Sequence, residues 1–326
     1  MDVSPLNYKL TFEPDLKKFT FNGLESISIN CKKSVNVITM NCAELKIKSC
    51  IVKSGKKIIK SFPKTNEKKE ELQIKLAEKI RGLCTVDLEF EGILNDRLLG
   101  FYRSRYEQNG KTKYLATTQF EAADARRAFP CWDEPEAKAT FEISIIADNQ
   151  FTAISNMPVK TKKKTGKTTL YNFQKTPLVS TYLIYLGVGE FEYLSGKAGK
   201  IQIRVVTTKG NTSKGKFSLE LGKKLLTSYE KYFGIKFPLP KLDLIAVPDF
   251  AAGAMENWGA ITFRETILLY DPKTSSTRTK QFIAEVISHE IAHMWFGNLV
   301  TMKWWNDLWL NESFATFMAT KFVDKF

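Results

Sequence analysis

The period of the hydrophobic residues changes near residue 190, and that change divides the chain. Before it, apolar and polar residues alternate one by one, as in Tyr8-Lys9-Leu10-Thr11-Phe12, Ser26-Ile27-Ser28-Ile29 and Val86-Asp87-Leu88-Glu89-Phe90. A period of two sends successive side chains to opposite faces of a strand, so residues 1–188 read as a β-rich domain. Ser54-Gly55-Lys56-Lys57 and Lys162-Lys163-Lys164-Thr165-Gly166-Lys167 read as exposed hairpin tips, whose lysines blunt sheet edges.

After residue 190 the period lengthens. Phe217, Leu219, Leu221, Leu225, Leu226, Tyr229 and Phe233 predict a helix over 214–233. Short apolar strands are expected at Leu242 to Val247 and Ala260 to Phe263. A long helix is expected from Thr279 to Phe296, with Phe282, Ile283, Val286, Ile287 and Ile291 at helical spacing and Gly297 as its stop. A last helix is expected from about Leu308 to the chain end at Phe326, with no stop signal. Residues 189–326 therefore read as a second domain.

The chain has 326 residues, 43% hydrophobic and 26% charged, which excludes a disordered tail and a small disulfide scaffold. Lysine and arginine outnumber acids 49 to 35, a net charge of +14. Such a balance raises the question of nucleic acid or anionic membrane. The lysines are scattered and lack interleaved aromatics, so a solvated surface is the reading and no nucleic-acid partner is expected. The five cysteines are odd in number and include no C-x-x-C pair, which argues against a disulfide framework or zinc knuckle and for a reducing compartment. No apolar run approaches the ~20 residues of a membrane span and no signal sequence is visible, so a cytoplasmic setting is expected.

The sequence holds two histidines, His289 and His293, four apart on the long helix. That spacing puts both imidazoles on one helix face, half of a tetrahedral zinc site. Glu290 stands beside them in His289-Glu290-Ile291-Ala292-His293, placed to take a proton from an attacking water without ligating the metal. Glu312, in Trp309-Leu310-Asn311-Glu312-Ser313, opens the next helix. An antiparallel return would bring it to the metal as a third ligand, in a setting expected to be buried by Trp304, Trp305 and Trp309. The chemistry expected is hydrolysis of a peptide bond without a covalent intermediate. Upstream, Gly253-Ala254-Met255-Glu256-Asn257 pairs small residues with a carboxylate, suited to close backbone approach to a peptide and to a cationic group. Gln119-Phe120-Glu121 is a second such candidate.

These motifs resemble the zinc aminopeptidases typified by aminopeptidase N, the M1 metallopeptidases. The resemblance rests on Gly253 to Asn257, on His289 to His293, on the continuation Trp295-Phe296-Gly297-Asn298-Leu299-Val300-Thr301 to Glu312, and on Gln119 to Lys138. It implies an α+β chain, with a saddle-like β domain followed by a partial thermolysin-like (gluzincin) catalytic domain. It implies one Zn2+ held by His289, His293 and Glu312, with Glu290 as general base. It also implies that Glu121 and Glu256 hold the free α-amino group of a peptide, while Gly253 and Ala254, with Met255 and Asn257 of the same motif, line its backbone. Met294 stands where many members carry Gln, and Ser313 where many carry Gly. In the family a tyrosine beyond the zinc glutamate stabilises the oxyanion and a helical domain closes the cavity. This chain reaches Phe326 before either. The expectation is a fragment or split product, weakly active or inactive alone, whose further partner is the C-terminal polypeptide that completes it.

Three other readings compete. An endopeptidase would share the zinc triad but has no use for paired amine-binding acids. An epoxide hydrolase related to this family carries Gln where this chain has Glu121. A non-catalytic basic binding module would bind no zinc.

Overall fold

The computed structural model describes residues Met1–Asp324. It divides into two compact units. One takes Met1–Arg103, Ala116–Asn149 and Val159–Val188, and the other takes Ser104–Leu115, Gln150–Pro158 and the chain from Gly189 on. Strands are numbered along the whole chain: β1 (Val3–Asp15), β2 (Thr20–Asn41), β3 (Lys46–Ser54), β4 (Lys57–Ile59), β5 (Ser61–Asn66), β6 (Glu71–Ile93), β7 (Gly100–Gln108), β8 (Lys111–Gln119), β9 (Thr140–Asp148), β10 (Thr152–Ser155), β11 (Val159–Thr165), β12 (Thr168–Phe173) and β13 (Leu186–Gly189).

The first unit is mostly β. Its main sheet runs β11-β12-β9-β1-β2-β6-β3-β4, with β5 also paired to β6. All neighbours are antiparallel except β1 and β9. The period of two is plain in β2, where Phe21, Gly23, Glu25, Ile27 and Ile29 face inward. Under that face Phe12, Phe21, Phe90, Phe101 and Phe129 pack edge-on or tilted, with centroids 5.2–6.4 Å apart. Each buried phenylalanine contributes roughly 1.5–3 kcal/mol. Gly23 is required by this packing, because a Cβ there would lie 2.1 Å from the Phe90 ring.

Glu25 breaks the pattern. It is buried, neither carboxylate oxygen has a hydrogen-bond partner within the protein, and burial holds its carboxyl well above the usual range. The lysines of 162–167 do not all lie at a hairpin tip. Lys162, Lys163 and Lys164 sit within β11, a fully exposed edge strand, where solvated charge blocks edge-to-edge pairing.

The second unit centres on a five-stranded sheet of β14 (Phe191–Ala198), β15 (Ile201–Thr208), β16 (Lys241–Val247), β18 (Ala260–Arg264) and β17 (Ala254–Met255), in that order. The middle strands β15, β16 and β18 are parallel, and helix α1 (Lys216–Phe233) connects β15 to β16. Every residue of β16 is buried, as parallel strands covered on both faces are. It nonetheless carries charge. Arg204 clamps Asp243 through two hydrogen bonds, and Lys241 Nζ donates to Asp243, Ser155 O and Gly259 O, each at 2.7 Å.

A short helix α2 (Glu265–Leu268) is followed by α3 (Thr277–Ala292) and α4 (Trp309–Val323). α3 begins two residues earlier than expected, because Ser276 Oγ accepts from Thr279 N as a cap. Its regular turns end at Ala292, not at Phe296. The last helix was expected to reach Phe326, whose final two residues lie outside the described residues. Among the described residues no helix is long and apolar enough to cross a membrane. All five cysteines are free.

Candidate metal and substrate site

The site is built on α3, α4 and the sheet edge of the second unit. His289 and His293 occupy successive turns at the end of α3, and their Nε2 atoms lie 2.9 Å apart. Glu312 on α4 closes the third side, with Oε2 3.2 Å from His289 Nε2 and Oε1 3.6 Å from His293 Nε2. One ligand atom from each of the three residues falls within 4.8 Å of the others.

Glu312 does not return by a tight helix hairpin. Sixteen residues, 293–308, separate α3 from α4, with a Phe296–Val300 bridge and a 3-10 turn at Trp305–Asp307 along the way. Nor do tryptophans bury the site as expected. Trp304 and Trp309 are exposed, Trp305 is half-buried, and the Glu312 side chain itself is 39% exposed. Trp295 is the tryptophan of this region that enters the core, against Tyr229 and Phe233. Tyr229 has no place at the site, since its hydroxyl bonds to Ser288 O and Oγ.

The imidazoles are oriented from behind. Phe296 O can only accept, so His293 Nδ1–H donates to it at 2.9 Å, and the neutral ring presents a lone pair at Nε2. His289 Nδ1 meets Thr316 Oγ1 at 3.4 Å. Two ring nitrogens 2.9 Å apart beside a carboxylate make a close set of donor atoms that a shared cation would satisfy. Burial works against a charged His293, but Glu256, Glu312 and Glu290 outweigh it and raise the imidazole to about 10. Burial likewise pushes the Glu312 carboxyl up, and the hydrogen bonds and charge of His289 and His293 more than reverse this, leaving it well below the usual carboxylate range. A field that favours a proton favours a divalent ion at the same place. Two nitrogens and one carboxylate, with room for further ligands, fit zinc.

Glu290 and Glu256 lie beside His293, one carboxylate oxygen of each within 4.8 Å of a ring nitrogen and of each other. Both are buried, and Glu256 Oε1 has no hydrogen-bond partner within the protein. Glu256 follows the edge strand β17, which pairs through Ala254↔Phe263 and Met255↔Thr262. Gly253 and Ala254 line a cleft of about 360 Å³ together with His289 and Glu290. Met255 and Asn257 are buried, and Asn257 Nδ2 donates to Thr262 Oγ1 at 3.1 Å. Glu121 belongs to the first unit, half-buried in the turn after β8.

Three supporting groups escaped the sequence reading. Thr316 was findable, being four residues after Glu312 on the same helix face. Phe296 O and Asn298 were not, because they act from an irregular loop. Asn298 is buried and its Nδ2 donates to Glu256 O at 2.8 Å.

A helix-borne imidazole pair joined by a carboxylate from the next helix is a donor set that could hold a divalent metal. Comparison with known proteins makes the assignment specific. The model of the Peptidase M1 N-terminal domain matches residues 4–183, and that of the Peptidase family M1 domain matches residues 217–326. The chain belongs to peptidase family M1. It is 44% identical to Aminopeptidase M1 of Arabidopsis thaliana over 97% of this chain and 37% of that protein. Against the Puromycin-sensitive aminopeptidase of Caenorhabditis elegans the identity is 45%, over 98% of this chain and 35% of that protein. Against Aminopeptidase 2, mitochondrial, of Saccharomyces cerevisiae it is 44%, over 98% and 34%. The chain thus spans little more than a third of the length of these relatives.

Proposed function

We propose that this chain carries the zinc centre and the amine-recognising edge of an aminopeptidase, which hydrolyses the N-terminal bond of peptides with a free N-terminus. The observation that carries the reading is the convergence of His289, His293 and Glu312, with Glu290 and Glu256 gathered against His293. One zinc ion there would polarise the scissile carbonyl and acidify a water. Glu290 takes the proton of that water and hands it to the leaving nitrogen. Glu256 offers a buried acceptor to the substrate ammonium, and a peptide lacking that group leaves the acid unpaired, at a cost in affinity. Gly253 and Ala254 present an uncrowded strand edge for the peptide backbone. Met255 and Asn257 contribute through the main chain and by supporting Glu256. The part assigned to Glu121 rests on the family resemblance. The proposed setting is the cytosol, in keeping with the free cysteines.

The names of the relatives support an exopeptidase over an endopeptidase. The deciding experiment compares an aminoacyl-anilide with its N-acetylated form on the zinc-loaded chain. Any hydrolysis should be confined to the free amine and lost in Glu290→Gln. Cleavage of the acetylated form, or equal turnover by Glu290→Gln, would contradict the reading.

A further inference from the structure

We infer that Phe282 and Glu285 form a subsite for a cationic side chain, so that the preferred substrates carry lysine or arginine immediately after the bond to be cleaved. The inference deepens the aminopeptidase reading and rests on it. On α3, Phe282, Glu285 and His289 stand at i, i+3 and i+7, one face of the helix. All three line the cleft that Gly253, Ala254 and Glu290 line.

Charge in this cleft is one-sided. The opposite wall, from α4, offers Thr316, Ala319 and Thr320, which are uncharged. Glu285 is exposed, and among the described residues it makes no ion pair. The Glu285 carboxylate is thus available to a cation entering the cleft. Phe282 is 50% exposed. An aromatic face beside a carboxylate suits a lysine or arginine, whose apolar stem lies on the ring while its head reaches the acid.

The order of parts along α3 fixes which substrate residue is read. Glu285 lies one turn before His289, and His293 one turn after it, next to Glu256. Each turn is ~5.4 Å along the helix axis. With the substrate amine at Glu256 and the scissile carbonyl at the imidazole pair, the chain passes Ala254 and Gly253 and brings its second side chain to Glu285.

The test is equilibrium binding to the zinc-loaded Glu290→Gln chain, which leaves peptides intact. The probes are Ala-Lys-Ala, Ala-Leu-Ala, Ala-Ala-Lys and N-acetyl-Ala-Leu-Ala. Ala-Lys-Ala should bind about tenfold more tightly than Ala-Leu-Ala or Ala-Ala-Lys at low salt, with the margin shrinking at 1 M salt. Adding Glu285→Gln should bring Ala-Lys-Ala down to the level of Ala-Leu-Ala. Equal binding of the free tripeptides, with the acetylated one rejected, would overturn the subsite and leave the aminopeptidase reading standing. So would a lysine preference that survives Glu285→Gln. Binding of none of the peptides, or equal binding of the acetylated one, would overturn both.

Discussion

Asn298 donates its side-chain amide to the main-chain oxygen of Glu256 over 2.8 Å, and two residues earlier Phe296 O receives the Nδ1–H of His293 over 2.9 Å. One irregular loop therefore positions both a candidate metal ligand and the candidate amine-binding acid. The second bond places a ring on α3, and the first ties down the end of the edge strand.

Removing the Asn298 amide should loosen Glu256 more than the metal. Leaving a buried carbonyl unsatisfied costs about 1–3 kcal/mol. Asn298→Ala is expected to weaken binding of a free-amine tripeptide about tenfold while zinc affinity changes by less than about threefold. Calorimetric titration of both ligands checks this, and an equal loss for both would assign Asn298 a general structural role.

Gly297 is the residue this loop can least replace. Its φ is +122°, and a Cβ there would stand 3.3 Å from both His293 Nδ1 and Asn311 Nδ2. Gly297→Ala should cost about 1–3 kcal/mol of stability through backbone strain and should also weaken zinc binding by turning the His293 ring. Urea unfolding with and without zinc measures both effects.

Glu25 predicts the pH dependence of the first unit. Its carboxyl is raised by burial alone, so the fold accepts the neutral acid. The stability tied to that form is fully present below the unfolded value of ~4.3 and is lost as pH rises through the folded value. Glu25→Met removes the buried charge and its orphaned oxygens. It should stabilise the chain by about 1–3 kcal/mol at pH 8, with a smaller gain at pH 4, read by urea unfolding at the two pH values. A gain that grows as pH falls would contradict the assignment.

Much of this architecture is legible in the amino acids, for reasons that also show where legibility stops. Alternation in β1, β2 and β6 follows from one face meeting an aromatic core, and the four-residue step from His289 to His293 follows from helix geometry. β16 was legible as a strand over 242–247, but the burial of its charges was not. Its charged Lys241 and Asp243 are buried because Arg204 and main-chain oxygens satisfy them from elsewhere in the chain. On α4 apolar residues surround the helix, so periodicity does not mark the inner face. Asn311, Ala315, Met318 and Phe322 turn inward, while Trp309, Phe314 and Phe317 are exposed. That is why the tryptophans gave a misleading picture of burial. The supporting bonds of Asn298 and Phe296 come from a loop whose path no local period encodes.

The central claim is that His289, His293 and Glu312 share one divalent ion, and zinc titration against a competing chromophoric chelator tests it most directly. The account predicts one zinc per chain, with His293→Ala and Glu312→Gln each weakening binding beyond the ~10–100-fold typical of losing an outer partner. Absence of stoichiometric zinc binding, or an affinity untouched by both substitutions, would contradict it.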